Sequence, residues 1–345
     1  MKKQFINAII RMLILGSILL YVGDQPGYAA DAISPITSGK RVLVVHSYHE
    51  TQKGHVVEMT QGIEEAFSGS GVKMKFVHMD TKRRTDLAWK KEAGQMATRV
   101  MEAFGPDVVI AMDDNAQAFF VQKNMTRSQA PVFVFGGVNA DISTYEFPRP
   151  NVTGVLERPN IKESIELLQK IVPNINKIFM LSDKSKTTDH FIEYCKTLDL
   201  PVEVIAYEQS LTLEQWKASV QKYKDKADTV GVYVSRTVKE VAGGSSLVPE
   251  AKLIDILTIE GGLPTVGFFD TAATAGVLCA ISVSMKEQGY VAGHMARAIL
   301  EGKAPSDFSI EPTQRGRIQL NLKTAEKLGI DIEWNIISKA DVVEK

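Results

Sequence analysis

Short apolar runs alternate along the chain with stretches in which apolar residues recur at helical spacing. Between residues 86 and 105, a capping aspartate, apolar positions one turn apart and a final glycine predict a helix. Apolar runs rich in Val, Ile and Phe are typical of parallel strands buried on both faces. The first half of the chain therefore predicts an α/β unit with strands at 42–47, 75–79, 107–112 and 131–137.

The same alternation restarts after Asn151. A helix is predicted near 161–171, and Thr212 followed by Gln215 has the pattern of a capping box that opens another helix. Two consecutive doubly wound units, that is, two Rossmann-like lobes, follow from the two halves. Ligands of such sheets bind beyond the carboxyl ends of the strands, so two facing lobes predict a cleft. The strands of the second half are predicted at 177–183, 202–207, 229–235 and 265–270.

Residues 1–30 predict a cleavable signal peptide. Two lysines precede an apolar stretch at 5–22, and small residues follow near Ala30. The alternative, an uncleaved membrane anchor, is disfavoured because Arg11 interrupts the stretch below the ~20 apolar residues that a span needs. We expect cleavage between Ala30 and Ile33 and a mature protein in the periplasm.

Composition excludes several classes of protein. The formal charge is −1, and residues 1–30 carry three basic residues against one acidic residue, so their removal gives −3. A nucleic-acid-binding protein needs a basic surface, which this balance does not supply. Two cysteines, Cys195 and Cys279, are too few for a disulfide scaffold, and we expect them in different lobes as free thiols. No phosphate-binding glycine motif is present, so no cofactor is expected.

Several segments carry a family resemblance. PNVTGV at 150–155, the stretch 265–307 and LNLKTAEKLGI at 320–330 resemble the ABC transporter substrate-binding family typified by tryptophan- and tyrosine-binding proteins. The similarity covers about residues 40–332. It implies a type I periplasmic-binding-protein fold, in which two lobes joined by a three-crossing hinge close on a ligand. The expected lobes are 38–153 plus 271–312 and 154–270 plus 313–345.

Two loops depart from the family pattern. The chain reads GGVNAD at 136–141, where many relatives have an Asp-Pro pair, and the loop at 112–117 is acidic where relatives often carry Thr or Ser. Both loops are expected to line the pocket, so the resemblance alone does not assign an aromatic amino acid as the ligand of this chain. Gly137 is expected to let the backbone approach a ligand, and Asn139 offers both a donor and an acceptor.

The sequence HSYHE at 46–50 raises the question of a metal site. His46 and His49 would face opposite sides of the sheet if the strand continues. Their spacing fits neither of the zinc-binding motifs H-E-x-x-H and H-x-x-E-H. We therefore expect His46 to be a strand-end residue and no metal to bind. The alternative, a metal-assisted exported hydrolase, would use His46, His49 and Glu50 as three metal ligands, with Asp113 as a further candidate.

Candidate ligand contacts follow the strands of both lobes. In the second lobe Arg236 is the leading partner for a carboxylate because guanidinium binds it bidentately, with a solvated surface arginine as the alternative. Asp270, expected at the second crossing, is a candidate for an amine. The expected ligand-binding residues are Ser47, Tyr48, His49, Asp113, Asp114, Asn115, Gly137, Asn139, Ser182, Thr187, Ser235, Arg236 and Asp270.

These observations favour a non-enzymatic, monomeric periplasmic solute-binding protein. Its partners would be a small polar organic molecule, such as an amino acid or related carboxylate, and an ABC transporter permease in the inner membrane. The alternative within binding proteins is an extracytoplasmic sensor that presents its ligand to a membrane kinase.

Overall fold

A computed structural model of the protein describes residues 39–50 and 52–345. The predicted signal peptide at 1–30 and the expected cleavage site lie outside these residues. Among the helices that the structure describes, none is both long and apolar enough to cross a membrane.

The first sheet has five parallel strands in the order β2-β1-β3-β4-β5. Its central strands are buried at nearly every position because helices cover both faces, as their continuous apolar sequences predict. The strands are β1 Arg41–His46, β2 Lys73–His78, β3 Val108–Met112, β4 Val132–Val138 and β5 Val152–Leu156.

Three helices follow the strands of this lobe. The carboxylate of Asp86 accepts a hydrogen bond from the backbone N–H of Trp89, and Gly105 ends that helix in the left-handed conformation. The third helix contains a π-helical turn where it packs beside the site described below. The helices are α1 His55–Ala66, α2 Leu87–Phe104 and α3, which runs through Asp114–Ala116, Gln117–Val121 and Gln122–Asn124.

The second sheet has seven strands in the order β12-β11-β10-β9-β8-β6-β7, with β11 antiparallel to β10. Strands β8 and β9 end together, at the pair Val232 and Gly267, before the residues predicted from sequence. The strands are β6 Lys177–Asp183, β7 Glu203–Ser210, β8 Thr229–Val232, β9 Thr265–Gly267, β10 Cys279–Ser282, β11 Arg317–Asn321 and β12 Val342–Glu344.

Two helices of the second half begin where the sequence predicts, near residue 161 and at Thr212. The predicted capping box is incomplete, because the side-chain oxygen of Gln215 accepts from the backbone N–H of Leu211. The hydroxyl of Thr212 accepts from the backbone N–H of Gln215, and the fully buried Trp216 donates from its indole to the carbonyl of Leu253. The helices are α4 Ile161–Ile171, α5 Lys186–Lys196, α6 Leu213–Tyr223, α7 Glu250–Asp255 with its π-helical extension Ile256–Glu260, α8 Met285–Leu300, α9 Leu322–Leu328 and α10 Trp334–Ile337.

One part of the expected lobe assignment is wrong. Residues 271–312 were expected in the first lobe, but β10 pairs with β9 and β11 in the second sheet. The chain therefore returns to the first lobe between Ser282 and Met285, and Asp270 lies after β9 within the second lobe instead of at a crossing. The cause is strand pairing, which local patterns do not encode. The other lobe boundaries stay predictions.

Helix α8 returns to pack against α1 of the first lobe. A Cβ atom at Gly289 would lie 2.0 Å from the carbonyl oxygen of Met59, and one at Gly293 would lie 2.7 Å from the Cβ of Ala66. The small residues one turn apart therefore allow close backbone contact between the two helices.

Within the described residues, three connections join the lobes, at 157–160, 283–284 and 308–316, and Gln288 ties the first and third together. Its side-chain amide donates to the carbonyl of Leu156 and to the hydroxyl of Thr313, and its oxygen accepts from the backbone N–H of Gly137. Since Gln288 is fully buried, these bonds fix the end of β4 against the first and third connections.

The two cysteines lie in the same hydrophobic cluster of the second lobe, so the expectation that they occupy different lobes is wrong. Both are free and buried, and burial raises the pKa of the Cys195 thiol to about 12 and that of Cys279 further. Because the thiolate is the reactive form, neither should react with iodoacetamide in the folded protein at neutral pH. Mass spectrometry should find two alkylated cysteines after denaturation without reductant. Rapid labelling of the native protein would contradict this burial.

Candidate ligand site

The carboxyl ends of β1, β3, β4 and β5 meet at one edge of the first sheet, as parallel pairing requires. The loops that follow them contain most of the polar residues expected to contact a ligand. Several of these side chains form hydrogen bonds within the protein and so hold the loops in place. The others remain available to contact a ligand.

Ser47 shapes the edge and does not present its hydroxyl to a ligand. Its side chain is fully buried; it donates to the carbonyl of Met112 at 2.7 Å and accepts from the backbone N–H of Ala116 at 2.7 Å. The expected ligand contact is thus replaced by a link between the ends of β1 and β3.

Asp113 is a buried acid at the start of α3. Its side chain is nearly inaccessible, and among the described residues its Oδ2 atom has no hydrogen-bond partner. Burial raises the pKa of its carboxyl well above the ordinary range, and the charges of Glu157 and Asp114 raise it further. Its backbone has φ of 66°, a conformation that costs energy for a residue other than glycine.

Asp114 and Asn115 brace neighbouring loops. The carboxylate of Asp114 accepts from the backbone N–H groups of Asn139 and Ala140 and, at 2.8 Å, from the hydroxyl of Tyr145. The amide of Asn115 donates to the hydroxyl of Thr81. These bonds leave Asp114 with little capacity for a ligand.

Glu157 is the functional candidate that the sequence did not reveal. It follows β5 directly, and burial raises the pKa of its carboxyl to about 7, although a hydrogen bond from the Asn139 side chain opposes the shift. A single glutamate next to Arg158 looks like a surface residue in the sequence. The only local signal was its place immediately after the lobe-crossing segment at 150–155.

Tyr48 lies close to these acids. Burial raises the pKa of its hydroxyl, and the charges of Asp113, Asp114 and Glu157 raise it further. The ammonium group of the exposed Lys82 lies 5.2 Å from the centre of the Tyr48 ring. Tyr48 therefore stays a predicted ligand contact.

His49 and His46 point to partners of their own. Nδ1 of His49 lies 3.6 Å from Asp80 in the loop after β2. His46 is fully buried, stacks on His78, and has a pKa lowered to about 3 by burial and by His78. Among the described residues, no group of three or more His, Cys, Asp or Glu side chains could hold a metal ion.

Gly137, near the end of β4, has a backbone conformation that favours glycine and leaves little room for a side chain. Its φ is 67°, and a Cβ atom there would lie 3.2 Å from Oδ1 of Asp113 and 2.9 Å from the terminal methyl of Met59. Any larger residue would therefore press on the buried acid. Asn139, two residues later, is exposed and donates its amide to Glu157.

In the second lobe, two of the expected serines are committed to the protein. Ser182 is buried and donates to the carbonyl of Asp183, and the fully buried Ser235 donates to the carboxylate of Glu250 at 3.2 Å. Thr187 is exposed on the first turn of α5. Neither serine hydroxyl is placed as a ligand contact, because both point to internal acceptors.

Arg236 is already surrounded by acceptors. Its Nε lies 3.5 Å from Glu250 and its Nη2 lies 3.8 Å from Asp270, while Nη2 donates to the hydroxyl of Thr271 at 3.2 Å. Its side chain is 55% exposed. A ligand carboxylate would have to compete with two protein carboxylates for this guanidinium, so its role as an anchor stays a prediction.

Asp270 makes a contact between the lobes. Its Oδ2 lies 3.4 Å from Nε2 of His55, the first residue of α1. The hydrogen bond raises the pKa of His55 and lowers the pKa of Asp270. Arg317 of β11 lies 3.8 Å from Glu58 on the same helix. Two charged contacts thus join the start of α1 to the second lobe.

The family model described as ABC transporter substrate binding protein matches residues 52–344. The chain belongs to this family. A tyrosine-binding protein of Clostridioides difficile (strain R20291) is 21% identical to this substrate-binding protein over 192 residues, which are 54% of this chain and 52% of the relative. The chain thus spans about half the length of the curated relative that it matches.

Solved structures show the same fold. A ligand-free, open substrate-binding protein with adhesive properties from Clostridium difficile superposes with a TM-score of 0.65 at 17% identity, over 89% of this chain and 99% of the other. A conserved domain protein from Vibrio cholerae gives a TM-score of 0.51 at 16% identity, over 88% and 99%. This substrate-binding protein has the type I periplasmic-binding-protein fold that its sequence predicted.

Proposed function

We propose that this protein binds a small polar organic solute between its two lobes in the periplasm and delivers it to an ABC permease of the inner membrane. The observation that carries the proposal is that Glu157 lies directly after β5, on the connection that leads to α4 of the second lobe. Its charge acts on Tyr48 and Asp113 of the first lobe and on Tyr233, which follows β8 of the second. Polar groups from both lobes therefore lie near one point, where a solute can contact both.

The binding mechanism follows from this arrangement. A solute that contacts both lobes only in a closed state binds that state more tightly and increases its population. The relative named as a tyrosine-binding protein supports a small-molecule ligand, and the family match supports a permease as the partner.

A thermal-shift screen tests the proposal. The library should contain amines, amino acids, carboxylates and neutral sugars, because a solute at about 100 times its Kd stabilises a protein by about 2.7 kcal/mol. At least one member should raise the melting temperature and reduce the radius of gyration measured by small-angle X-ray scattering. A library in which no member does either would contradict the proposed function.

The contact between His55 and Asp270 should favour closure of the unliganded protein. Because both side chains are about half exposed, we expect Asp270→Asn to weaken closure by only about 0.2–1 kcal/mol. The variant should show a larger radius of gyration than the parent at about pH 6.

The pH dependence of this contact has a defined sign. The pKa of His55 is raised, so its stabilising charge is present below 6.5 and is lost as the pH rises through its value in the folded protein. The pKa of Asp270 is lowered, so its contribution is present above 3.8 and is lost only in stronger acid. Asp255→Asn removes an exposed ion pair with Lys327 inside the second lobe and serves as the control. Equal radii for Asp270→Asn and the parent would show that the contact does not hold the lobes.

A further inference from the structure

We infer that the solute is an organic cation, whose ammonium group lies against Asp113 and Glu157 and which carries no carboxylate. This inference rests on the proposed function and names the class of its ligand.

The positions of the two acids define the ammonium site. Asp113 follows β3 and Glu157 follows β5, and these strands lie on either side of β4. Neighbouring strands lie about 4.8 Å apart, so the two side chains reach the space above the end of β4 from opposite sides. Gly137 itself contributes no side chain to that space, where a Cβ atom would lie 3.2 Å from Oδ1 of Asp113 and 2.9 Å from the terminal methyl of Met59.

Within the described part of the chain neither acid forms an ion pair, although His55 and Arg158 lower the pKa of Glu157 and His55 and Lys82 lower that of Asp113. Oδ2 of Asp113 is buried without a hydrogen bond within the described part of the chain, and the hydrogen bond described for Glu157 comes from a neutral amide. The neighbouring Asp114 differs, because its carboxylate accepts hydrogen bonds from three donors of the protein. A buried carboxylate without a cation is costly, and an ammonium group on a ligand would remove that cost.

The two arginines around the site contact acceptors of the protein itself. The guanidinium of Arg158 donates to the backbone carbonyls of Val138 and Asn139, and that of Arg236 lies between Glu250 and Asp270. Lys82 is exposed beside the Tyr48 ring. A ligand carboxylate would therefore meet acids at the centre of the site and no guanidinium reserved for it, which disfavours an amino acid.

The charge states of the site add a dependence on pH. Glu157 is surrounded by Asp114, Arg158, His55 of α1, Tyr48 and Tyr233, and Asp113 by Asp114, Glu157, His55 and Lys82. As the pH falls, the two acids become neutral and His55 becomes charged. Both changes oppose a cation, so binding should weaken between about pH 8 and pH 6.

Three related probes distinguish the ligand classes: tyramine, L-tyrosine and 3-(4-hydroxyphenyl)propionate. They share a ring and differ in carrying an ammonium group alone, both charged groups, or a carboxylate alone. Agmatine, arginine and 5-guanidinopentanoate form a second set, in which every member carries a guanidinium group in place of the ring and the other groups vary as in the first set. The comparison uses whichever set binds more tightly. Thermal shift and calorimetry at about pH 8 should show that its amine, tyramine or agmatine, binds at least about tenfold more tightly than the other two members of that set.

Substitutions then identify the acids. Asp113→Asn and Glu157→Gln should each weaken binding of the amine about tenfold or more, at about 1.4 kcal/mol per tenfold. Glu64→Gln makes the same charge change on an exposed residue of α1 and should leave affinity unchanged. The unliganded melting temperatures of Asp113→Asn and Glu157→Gln at about pH 8 should equal or exceed that of the parent, since ionised Asp113 and Glu157 are costly when buried. Such a result separates lost binding from lost folding.

Each outcome is decisive. Preference for the amine, with loss of binding in both variants, supports the cation assignment. Preference for the amino acid or the carboxylate, or unchanged affinity in either variant, overturns the assignment and leaves the proposed function standing. If no probe and no member of the broader library binds, both the assignment and the proposed function fail.

Discussion

Replacing Gly289 with alanine should destabilise the protein by about 3 kcal/mol or more, the upper range for overpacking a buried site. The added Cβ atom would lie 2.0 Å from the carbonyl oxygen of Met59, so α8 and α1 must move apart. These helices carry the return of the chain to the first lobe and the residues His55 and Glu58 that contact the second. We therefore expect the substitution to lower stability and also to alter closure.

Urea unfolding at neutral pH measures this effect. Gly262→Ala is a suitable control, because its φ is 65° and nothing lies within 4 Å of an added Cβ. It should cost only the left-handed backbone penalty of about 1–2 kcal/mol. If Gly289→Ala unfolds at the same urea concentration as the parent, the two helices do not make the close contact described.

Raising the pH should destabilise the unliganded protein through Glu157. Its carboxyl has an ordinary pKa of 4.5 and a folded pKa of about 7, so between these values the folded state holds a proton that the unfolded state has released. Stability from this group is complete below 4.5 and is lost as the pH rises through 7. The full loss is on the order of 3 kcal/mol, at about 1.4 kcal/mol for each unit of pKa.

Comparison with Glu157→Gln isolates this contribution, because other groups such as His55 also titrate in the same range. The free energy of unfolding of the parent, measured with a chemical denaturant, should decline from about pH 5 to pH 8. In Glu157→Gln this decline should be smaller by on the order of 3 kcal/mol. Glu64→Gln should follow the parent. Parallel curves for the parent and Glu157→Gln would mean that Glu157 is solvated and unperturbed.

Local sequence patterns are sufficient for most elements of the fold. Strand β6 has the predicted bounds 177–183, and Asp86, Gly105 and Thr212 occupy the predicted helix ends. The exceptions depend on distant pairing. Strand β8 ends at Val232, where its ladders with β6 and β9 end, although the backbone N–H of Asp183 still donates to the carbonyl of Val234. Strand β10 joins the second sheet because it pairs there with β9 and β11.

The site is less predictable because each side chain acquires its role from residues far along the chain. Ser47 binds Met112, 65 positions away, so its exposure could not be judged from HSYHE alone. Asp113 and Asp114 are adjacent and chemically identical, yet one is satisfied by Asn139, Ala140 and Tyr145 while the other is buried with an unpaired oxygen. The partial burial of Glu157 likewise depends on residues far along the chain.

A crystal structure of the protein with the most stabilising solute from the screen would show most directly whether ligand binds between the lobes. We predict that the solute contacts Tyr48 and Glu157 on one side and Tyr233 on the other, with its ammonium group within about 3 Å of a carboxylate oxygen of Asp113 or Glu157. A solute bound to one lobe alone, or on the outer surface away from these residues, would contradict that placement.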